Sequence, residues 1–258
     1  MRPKLPAFVC SLVLTLLGAG CGGGDSSGGG TLVTTASPGG IWEGTDSATG
    51  LQVTGIVDEA GQFHFIRSDL VQFVGMATTS ANNVTASYDG FTQVGNTFDD
   101  GSTHGTGTLT GTVAQRATLA LSYQFTTDAG TASSGMLNLS FNTLYNVASS
   151  LTTISGSYTD ANSGATVTVS SSGAIASQDT TTGCVVTGQL SIINSMYNAY
   201  DVTYAYSNCT GAYAVVNGVQ FSGLATFNNG TSPANLVVAV TGEVGTTEFA
   251  LVIALAQQ

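Results

Sequence analysis

The amino-acid sequence predicts an all-β protein with two tandem antiparallel up-and-down barrel-like domains, and a pair of β-sandwiches is the alternative. Only 7% of the 258 residues are charged and 34 are glycine, a composition that disfavours long helices and coiled coils. Short apolar or alternating stretches are separated by turns rich in Gly, Asn, Asp and Ser, which is the pattern of antiparallel strands. Parts of this pattern recur along the chain, and the recurrence indicates two related domains.

Predicted strands follow one another from residue 40 onward. Turn sequences such as Asp58–Gly61 and Asn228–Gly230 are compatible with hairpins. A closed sheet has no exposed edge, so closure would explain how so many strands coexist with so few edge charges. The best helical candidate, Thr143–Leu151, suffices for one or two turns. The predicted strands include Leu51–Val57, Gly61–Arg67, Leu70–Met76, Thr108–Val113, Ala117–Phe125, Met136–Phe141, Thr166–Ser170, Val185–Ile192, Ala199–Tyr206, Val219–Phe227, Asn235–Thr241 and Glu248–Ala256.

Residues 1–20 have the features of a secretory signal peptide. Arg2 and Lys4 precede the apolar run Leu5–Leu17, which is too short to span a bilayer. The run ends in Leu-Gly-Ala-Gly followed by Cys21, a sequence that resembles the bacterial lipobox. The resemblance implies that Cys21 is lipidated and becomes the new N-terminus. An ordinary signal peptide with a chance cysteine is the alternative.

Residues 21–39 are rich in glycine and serine, a composition typical of a flexible tether. A tether suits a domain that is anchored to a membrane. The residue after Cys21 is Gly22 and not aspartate, which in the bacterial lipoprotein-sorting rule implies transfer to the outer membrane. The sequence therefore predicts an outer-membrane, lipid-anchored protein with no cofactor besides that N-terminal lipid. Whether it faces the periplasm or the cell exterior stays open.

The charge balance excludes nucleic acid as a partner and excludes electrostatic attraction as the means of membrane attachment. Without the leader the chain keeps 15 acidic residues against Arg67 and Arg116. No basic stripe is present to bind phosphates, so nucleic acid is excluded as a partner. Attraction to anionic headgroups cannot hold such a chain at a membrane, and the lipid would have to do so. The expected partners are the membrane, through the lipid, and either a protein or a small apolar ligand.

The internal repeat divides the body of the chain into domains 40–148 and 149–258. Several residues recur at an offset of 81, and an upstream set recurs at a larger offset. The first domain holds an additional segment, 68–106, which either supplies strands that the second domain makes elsewhere or carries a distinguishing function. The matched pairs are Gly107 with Gly188, Tyr123 with Tyr204, Gly130 with Gly211, Gly40 with Gly156, Gly50 with Gly164, and Gly61 with Gly173.

Two cysteines are left in the mature chain once Cys21 carries the lipid, namely Cys184 and Cys209. An even pair in an oxidising compartment predicts a disulfide. Free buried thiols are the alternative. A metal site would need further ligands nearby, and none is at hand in the sequence, so no metal is predicted.

The second half resembles a recurrent pattern in proteobacterial surface lipoproteins. The resemblance covers about Leu139–Phe227 and implies architecture and location; the family has no established activity, so no catalytic residue is carried over. The opening of the first domain, from Gly40 to Thr45, is also similar. The residues that carry the resemblance are Ser149-Ser150-Leu151, Gly156 and Tyr158, Gly173, Gly183-Cys184 and Asn208-Cys209.

Catalytic chemistry has little support in the sequence. His64 alternates with Phe63 and Phe65 along one strand and is interpreted as a polar position facing solvent or the lumen. His104 follows a turn rich in Asp, Ser and Thr that lacks the spacing of a calcium loop. No Gly-x-Ser-x-Gly elbow leads from a strand into a helix. No catalytic residue is therefore predicted, and the chain is expected not to be an enzyme.

Tyrosines of the second domain are the best indication of a binding site. Tyr200, Tyr204 and Tyr206 share one face of a predicted strand. They could pack in a core or line a cavity for a small apolar or sugar-like ligand. The sequence thus predicts a membrane-anchored lipoprotein that acts as a structural, binding or interaction module. A lipocalin-like carrier of a small hydrophobic ligand is the alternative, and a cell-envelope hydrolase comes third.

Overall fold

The computed structural model describes residues 35–160, 163–244 and 247–258. The predicted signal peptide 1–20, Cys21 and the tether up to residue 34 lie outside these residues. The described residues form two closed antiparallel barrel-like sheets in tandem, connected by short helices. The predicted all-β, up-and-down architecture is confirmed.

The first barrel is an up-and-down meander in which β9 closes onto β1, as in the pair Gly44↔Leu139. Both β4 and β5 pair with β6, so they are consecutive parts of one strand that is interrupted at Ala77. With that strand counted once, the barrel has eight strands. The strands are β1 Gly40–Asp46, β2 Gln52–Val57, β3 Gln62–Arg67, β4 Gln72–Met76, β5 Thr78–Ser80, β6 Asn83–Phe91, β7 His104–Ala114, β8 Thr118–Thr127 and β9 Ala132–Asn142.

The second barrel is also an up-and-down meander, and β17 closes onto β10. Its core contains large residues such as Tyr158, Leu190 and Phe221, all fully buried. Its strands are β10 Gly156–Asp160, β11 Thr166–Val169, β12 Ala174–Gln178, β13 Val185–Ile192, β14 Tyr200–Ser207, β15 Gln220–Asn228, β16 Asn235–Val244 and β17 Thr247–Gln257.

The two barrels reach the same strand number in different ways. Segment 68–106 of the first barrel contains β4, β5 and β6 and ends in the first residues of β7. The second barrel instead adds β16 and β17 after the part that both domains share. The shared sequence block therefore forms β7 and β8, late in the first barrel, and β13 and β14, in the middle of the second.

Matching turns explain the glycines of the repeat. Gly61 and Gly173 both have a positive φ, and each turn is closed by a hydrogen bond from Gly N–H to the carbonyl three residues earlier. A Cβ on Gly61 would come within 2.2 Å of the Ala77 carbonyl oxygen, and one on Gly173 within 2.2 Å of the Leu190 oxygen. Only glycine satisfies both the dihedral angle and this close approach.

Two single-turn helices lie between the barrels, a 3₁₀ helix at Thr143–Asn146 and α1 at Leu151–Ile154. The Ser150 hydroxyl accepts a hydrogen bond from Thr153 N–H and caps α1. The 3₁₀ helix lies within Thr143–Leu151, where the sequence indicated one or two turns, and α1 begins at the last residue of that stretch. Ile154 at the end of α1 is fully buried and joins the core of the second barrel.

The outer walls of the barrels pack against each other. Ile56 on β2 and Leu224 on β15 are fully buried, although alternation along each strand places them on the outer face. β15 lies against β2 and β3, and this contact covers both side chains. The Gln72 side chain donates to the Val240 carbonyl across the same contact, at 3.4 Å. The barrels are therefore joined by a buried interface as well as by the chain.

Candidate functional site

A cavity of about 290 Å³ opens at one end of the second barrel. It lies where β10 turns into β11, where β12 turns into β13, and where β14 leads to β15. Six strands contribute apolar side chains to its wall, and these include Val167, Ile175, Val186, Val202, Val238 and Ile253. The volume is close to the lower limit of small-molecule sites.

Two of the three tyrosines predicted to line a ligand site face this cavity. Tyr204 and Tyr206 are part of its wall. Tyr200 is buried in the same barrel but lies outside the cavity lining, and its hydroxyl accepts a hydrogen bond from Ser150 N–H at 2.9 Å. Tyr200 therefore attaches β14 to the connection between the barrels.

The Tyr204 hydroxyl is a buried polar group without a hydrogen bond among the described residues. The ring stacks on Phe221 at 5.3 Å and meets Tyr206 edge-on at 5.5 Å. Burial raises the pKa of Tyr204 well above its usual value, and the nearby Tyr206 and Asp160 raise it further. A buried hydroxyl without a partner costs about 1–3 kcal/mol, so this wall of the cavity can be stabilised by a polar group from a ligand.

Residues of the first barrel complete the cavity wall. In the described chain, β10 and β17 pair only from Tyr158↔Gln257 to Asp160↔Leu255. Further along β17, Ala250 bridges to Gln93 in the loop that follows β6, and Val94 N–H donates to the Ala250 carbonyl at 3.3 Å. Gln93 and Val94 both line the cavity. This loop therefore covers the side of the second barrel where the strand pairing ends.

A disulfide between Cys184 and Cys209 fixes the rim, which confirms the predicted pairing. Cys184 itself lines the cavity. Thr210 N–H donates to the Thr182 carbonyl at 2.8 Å, so the two connected loops are also joined through their backbones. A second 3₁₀ helix, Gly211–Val216, follows and contributes to the lining. These links hold the mouth in one shape.

Two carboxylates lie at the rim, Asp160 and Asp179. The Thr182 hydroxyl donates to the Asp179 carboxylate at 2.7 Å, and Thr181 N–H donates at 2.8 Å. The Thr182 hydrogen bond is the main cause of a lowered pKa at Asp179. Asp179 is therefore ionised at neutral pH.

The corresponding end of the first barrel is closed. Asp46 occupies the turn position that Asp160 has in the second barrel, because both accept a backbone hydrogen bond from the glycine four residues later. The Asp46 carboxylate accepts a hydrogen bond from the Tyr123 hydroxyl at 2.9 Å and pairs with Arg67 at 3.5 Å. The space left beside these residues is only about 20 Å³.

Aromatic side chains fill the rest of that end. Phe73 contacts Tyr88 and Phe125 edge-on, with ring centres 5.6 and 5.8 Å apart. Phe98, from the loop after β6, contacts Phe125 at 5.4 Å. The second barrel has valine and isoleucine side chains around its cavity instead. One barrel is thus packed solid where the other is open.

His104 lies among three carboxylates where the barrels meet. Its Nδ1 is 3.1 Å from Asp128, and its Nε2 is 3.3 Å from Glu248 and 3.5 Å from Asp89. All three N···O distances fall within the range of direct imidazole–carboxylate pairs. In the described part of the chain no group of three or more His, Cys, Asp or Glu is arranged to hold a metal ion.

His64 is buried in the interface between the barrels. His64 points to the opposite face of β3 from Phe63 and Phe65, as the sequence predicted. The second barrel covers that face, so the imidazole faces neither solvent nor the lumen. A Cβ on Gly223 would come within 2.9 Å of the imidazole, which shows how closely β15 approaches it. Burial lowers the pKa of His64 to about 4, and its ring is 3.3 Å from the Gln72 side chain.

Neither histidine has the surroundings of a nucleophile-activating base. Within the described residues, the ring of His104 contacts carboxylates and that of His64 an amide. A serine or threonine nucleophile would need a hydroxyl hydrogen-bonded to an imidazole. The geometry offers binding groups instead, namely apolar walls, phenol rings and carboxylates.

Several lining residues were not found from the sequence. Asp160 could have been identified from the repeat, because it holds the same turn as Asp46. Asp179 begins the stretch Asp-Thr-Thr-Thr-Gly, a composition that many solvated loops share. No sequence signal indicates that Gln93 and Val94 line the cavity, because the packing of the first barrel against the second brings them there.

No protein-family model matches the chain, and no curated protein is significantly similar to it. Among the residues that the structure describes, no helix combines the length and the apolar character needed to cross a membrane.

Proposed function

We propose that the chain is a lipid-anchored binding protein of the bacterial cell envelope whose second barrel takes a small, largely apolar ligand. The observation that carries this proposal is the difference between the barrels. Related turns enclose about 290 Å³ in the second and about 20 Å³ in the first. Side chains fill this space in the first barrel and leave it open in the second. This difference favours a binding role for the second barrel.

The physical properties of the cavity support this role. Its apolar wall gains about 25 cal/mol for each Å² of apolar ligand surface removed from water. The disulfide and the backbone links at the rim keep the site in its binding shape, which lowers the entropic cost of binding. The Tyr204 hydroxyl offers one polar contact inside the apolar surroundings.

The anchor is proposed from the sequence of the leader and of Cys21. Replacement of Cys21 by serine removes the thiol that would carry the lipid. We expect the Cys21→Ser chain to move from the membrane fraction to the soluble fraction when cells are fractionated. Persistent membrane association of this variant would contradict the lipid anchor. The soluble Cys21→Ser chain then serves as the parent for binding experiments, since it needs no detergent that could enter the cavity.

A side chain that fills the cavity should abolish binding. Val167 is half-buried on the inner face of β11, and Thr168 is exposed on the outer face. We expect Val167→Trp to weaken the binding of 1-octanol at least a hundredfold, which corresponds to about 2.7 kcal/mol. Calorimetric titration of the Cys21→Ser chain with 1-octanol measures the change.

Thr168→Trp is the matched control, because it adds the same indole to the outer face and should leave octanol binding unchanged. Ala165→Trp, at another lining position, provides a second block, and far-UV circular dichroism verifies that the variants fold. The proposal fails if 1-octanol shows no saturable binding to the parent. It also fails if both lining variants bind octanol as tightly as Thr168→Trp does.

A further inference from the structure

The charged groups around the cavity of the second barrel are negative. Asp160 and Asp179 lie at the rim. The side-chain oxygen of Gln93 is buried and accepts no hydrogen bond from the described residues. These groups are hydrogen-bond acceptors, so a matching ligand would bring donors.

Among the described residues, no lysine or arginine lines the cavity. The described residues contain two basic side chains of the Lys or Arg type, Arg67 and Arg116. Arg67 pairs with Asp46 and Asp69 inside and beside the first barrel. Arg116 pairs with Glu59 and lies over an aromatic ring. A carboxylate or phosphate group of a ligand would therefore meet like charge at the rim and no counter-charge.

Phenol rings and the buried Tyr204 hydroxyl lie close to the Asp160 carboxylate. Tyr206 and Tyr213 line the cavity together with Tyr204. The Asp160 carboxylate is near enough to raise the pKa values of both Tyr204 and Tyr206, for which burial is the larger cause. Aromatic faces attract cations, and the attraction is stronger where water is excluded. The unpartnered Tyr204 hydroxyl adds a contact for a polar group at the same place.

We propose that the ligand is a small amphiphile whose apolar body fills the cavity and whose polar end is a cationic hydrogen-bond donor held against Asp160 and the tyrosines. This inference rests on the proposed function and specifies its ligand class. The size of the ligand is limited, because 290 Å³ is about twice the ~150 Å³ of an engineered cavity that holds benzene. An amine with a short alkyl or aromatic body meets these requirements.

Three probes with the same alkyl chain test the polar end. At neutral pH octylamine is a cation, 1-octanol is neutral and octanoate is an anion. Each is titrated into the soluble Cys21→Ser chain by calorimetry. We expect octylamine to bind at least tenfold more tightly than octanoate, with 1-octanol between them, and high salt to narrow the difference.

Two variants, each lacking one negative charge, test whether the preference for octylamine over octanoate depends on Asp160. Asp160→Asn should reduce the octylamine-to-octanoate affinity ratio at least threefold. Glu43→Gln removes one negative charge from an exposed position on β1 and should leave the ratio unchanged. This control separates a local contact from the effect of overall charge.

Each of the remaining results has a defined meaning. Octanoate binding equal to or tighter than octylamine binding overturns the inference on the polar end and leaves the proposed cavity function standing. An equal change of the ratio in Asp160→Asn and Glu43→Gln overturns the assignment to Asp160. Failure of all three probes to bind overturns the proposed function, and this inference with it.

Discussion

Replacement of Leu224 by aspartate is expected to lower the free energy of unfolding by about 3–5 kcal/mol, the cost of an uncompensated buried charge. Leu224 is fully buried on the outer face of β15, where β2 and β3 of the first barrel cover it. No Lys or Arg of the described residues lies in this contact to pair with the new carboxylate, because Arg67 and Arg116 are bound elsewhere. Urea denaturation measures the loss, with far-UV circular dichroism reporting on both barrels.

Ser222→Asp is the matched control for Leu224→Asp. Ser222 lies on the same outer face of β15, two residues away, but is exposed, so its substitution should change stability by less than about 0.5 kcal/mol. Trp42, the single tryptophan, is buried in the core of the first barrel. Its fluorescence shows whether the first barrel unfolds together with the second. Equal stability of the two variants would contradict a buried interface between the barrels.

Removal of the disulfide is expected to have the second-largest effect. Cys184 and Cys209 are 25 residues apart, and closing a loop of that size stabilises the folded state by about 3–4 kcal/mol through the entropy of the unfolded chain. The Cys184→Ser/Cys209→Ser double variant should lose about that amount in urea denaturation. Because the bond also fixes the rim, 1-octanol binding should weaken as well.

A reductant provides the control for the disulfide prediction. The parent chain unfolded in the presence of dithiothreitol should approach the stability of the double serine variant. The double variant itself should be insensitive to dithiothreitol. If the parent and the double variant unfold at the same urea concentration without reductant, the disulfide contributes no stability and the prediction is wrong.

Local patterns were sufficient to predict the fold class and twelve of the strands, whereas strands such as β6 and β12 were not among those named. Alternation correctly placed Phe63 and Phe65 on the face opposite to His64, since side chains of a strand point to alternate faces whatever the rest of the fold does. Burial of His64 was not predictable in this way. It depends on the second barrel packing against β3, and no periodicity within β3 carries that information.

The same limit applies to the cavity. The alternation of side chains along β14 predicted that Tyr200, Tyr204 and Tyr206 share one face. All three point into the second barrel or its end. Only Tyr204 and Tyr206 of these three line the cavity. The place where a barrel core leaves a cavity depends on how side chains from all its strands pack together, and the pattern of one strand does not contain that information. The repeat related Tyr123 to Tyr204, yet Tyr123 bonds to Asp46 in a filled core while Tyr204 has an unpartnered hydroxyl.

The repeat also shows how related sequence can occupy different places in a barrel. Strands β7 and β8 precede the last strand of the first barrel, whereas β13 and β14 are followed by three more strands in the second. Antiparallel neighbours need only a hairpin between them, so a pair of strands can be added on either side of the shared block. Position within the closed sheet is therefore not encoded in the block itself.

Methyl NMR of the Cys21→Ser chain during titration with octylamine tests the proposed binding site most directly. We predict saturable shifts of methyl signals in the cavity wall, at Val167, Ile175 and Val238. The methyl groups of Val53 and Val113, in the filled core of the first barrel, should keep their positions. Shifts confined to residues outside the cavity, or equal shifts in both barrels, would contradict a ligand site in the second barrel.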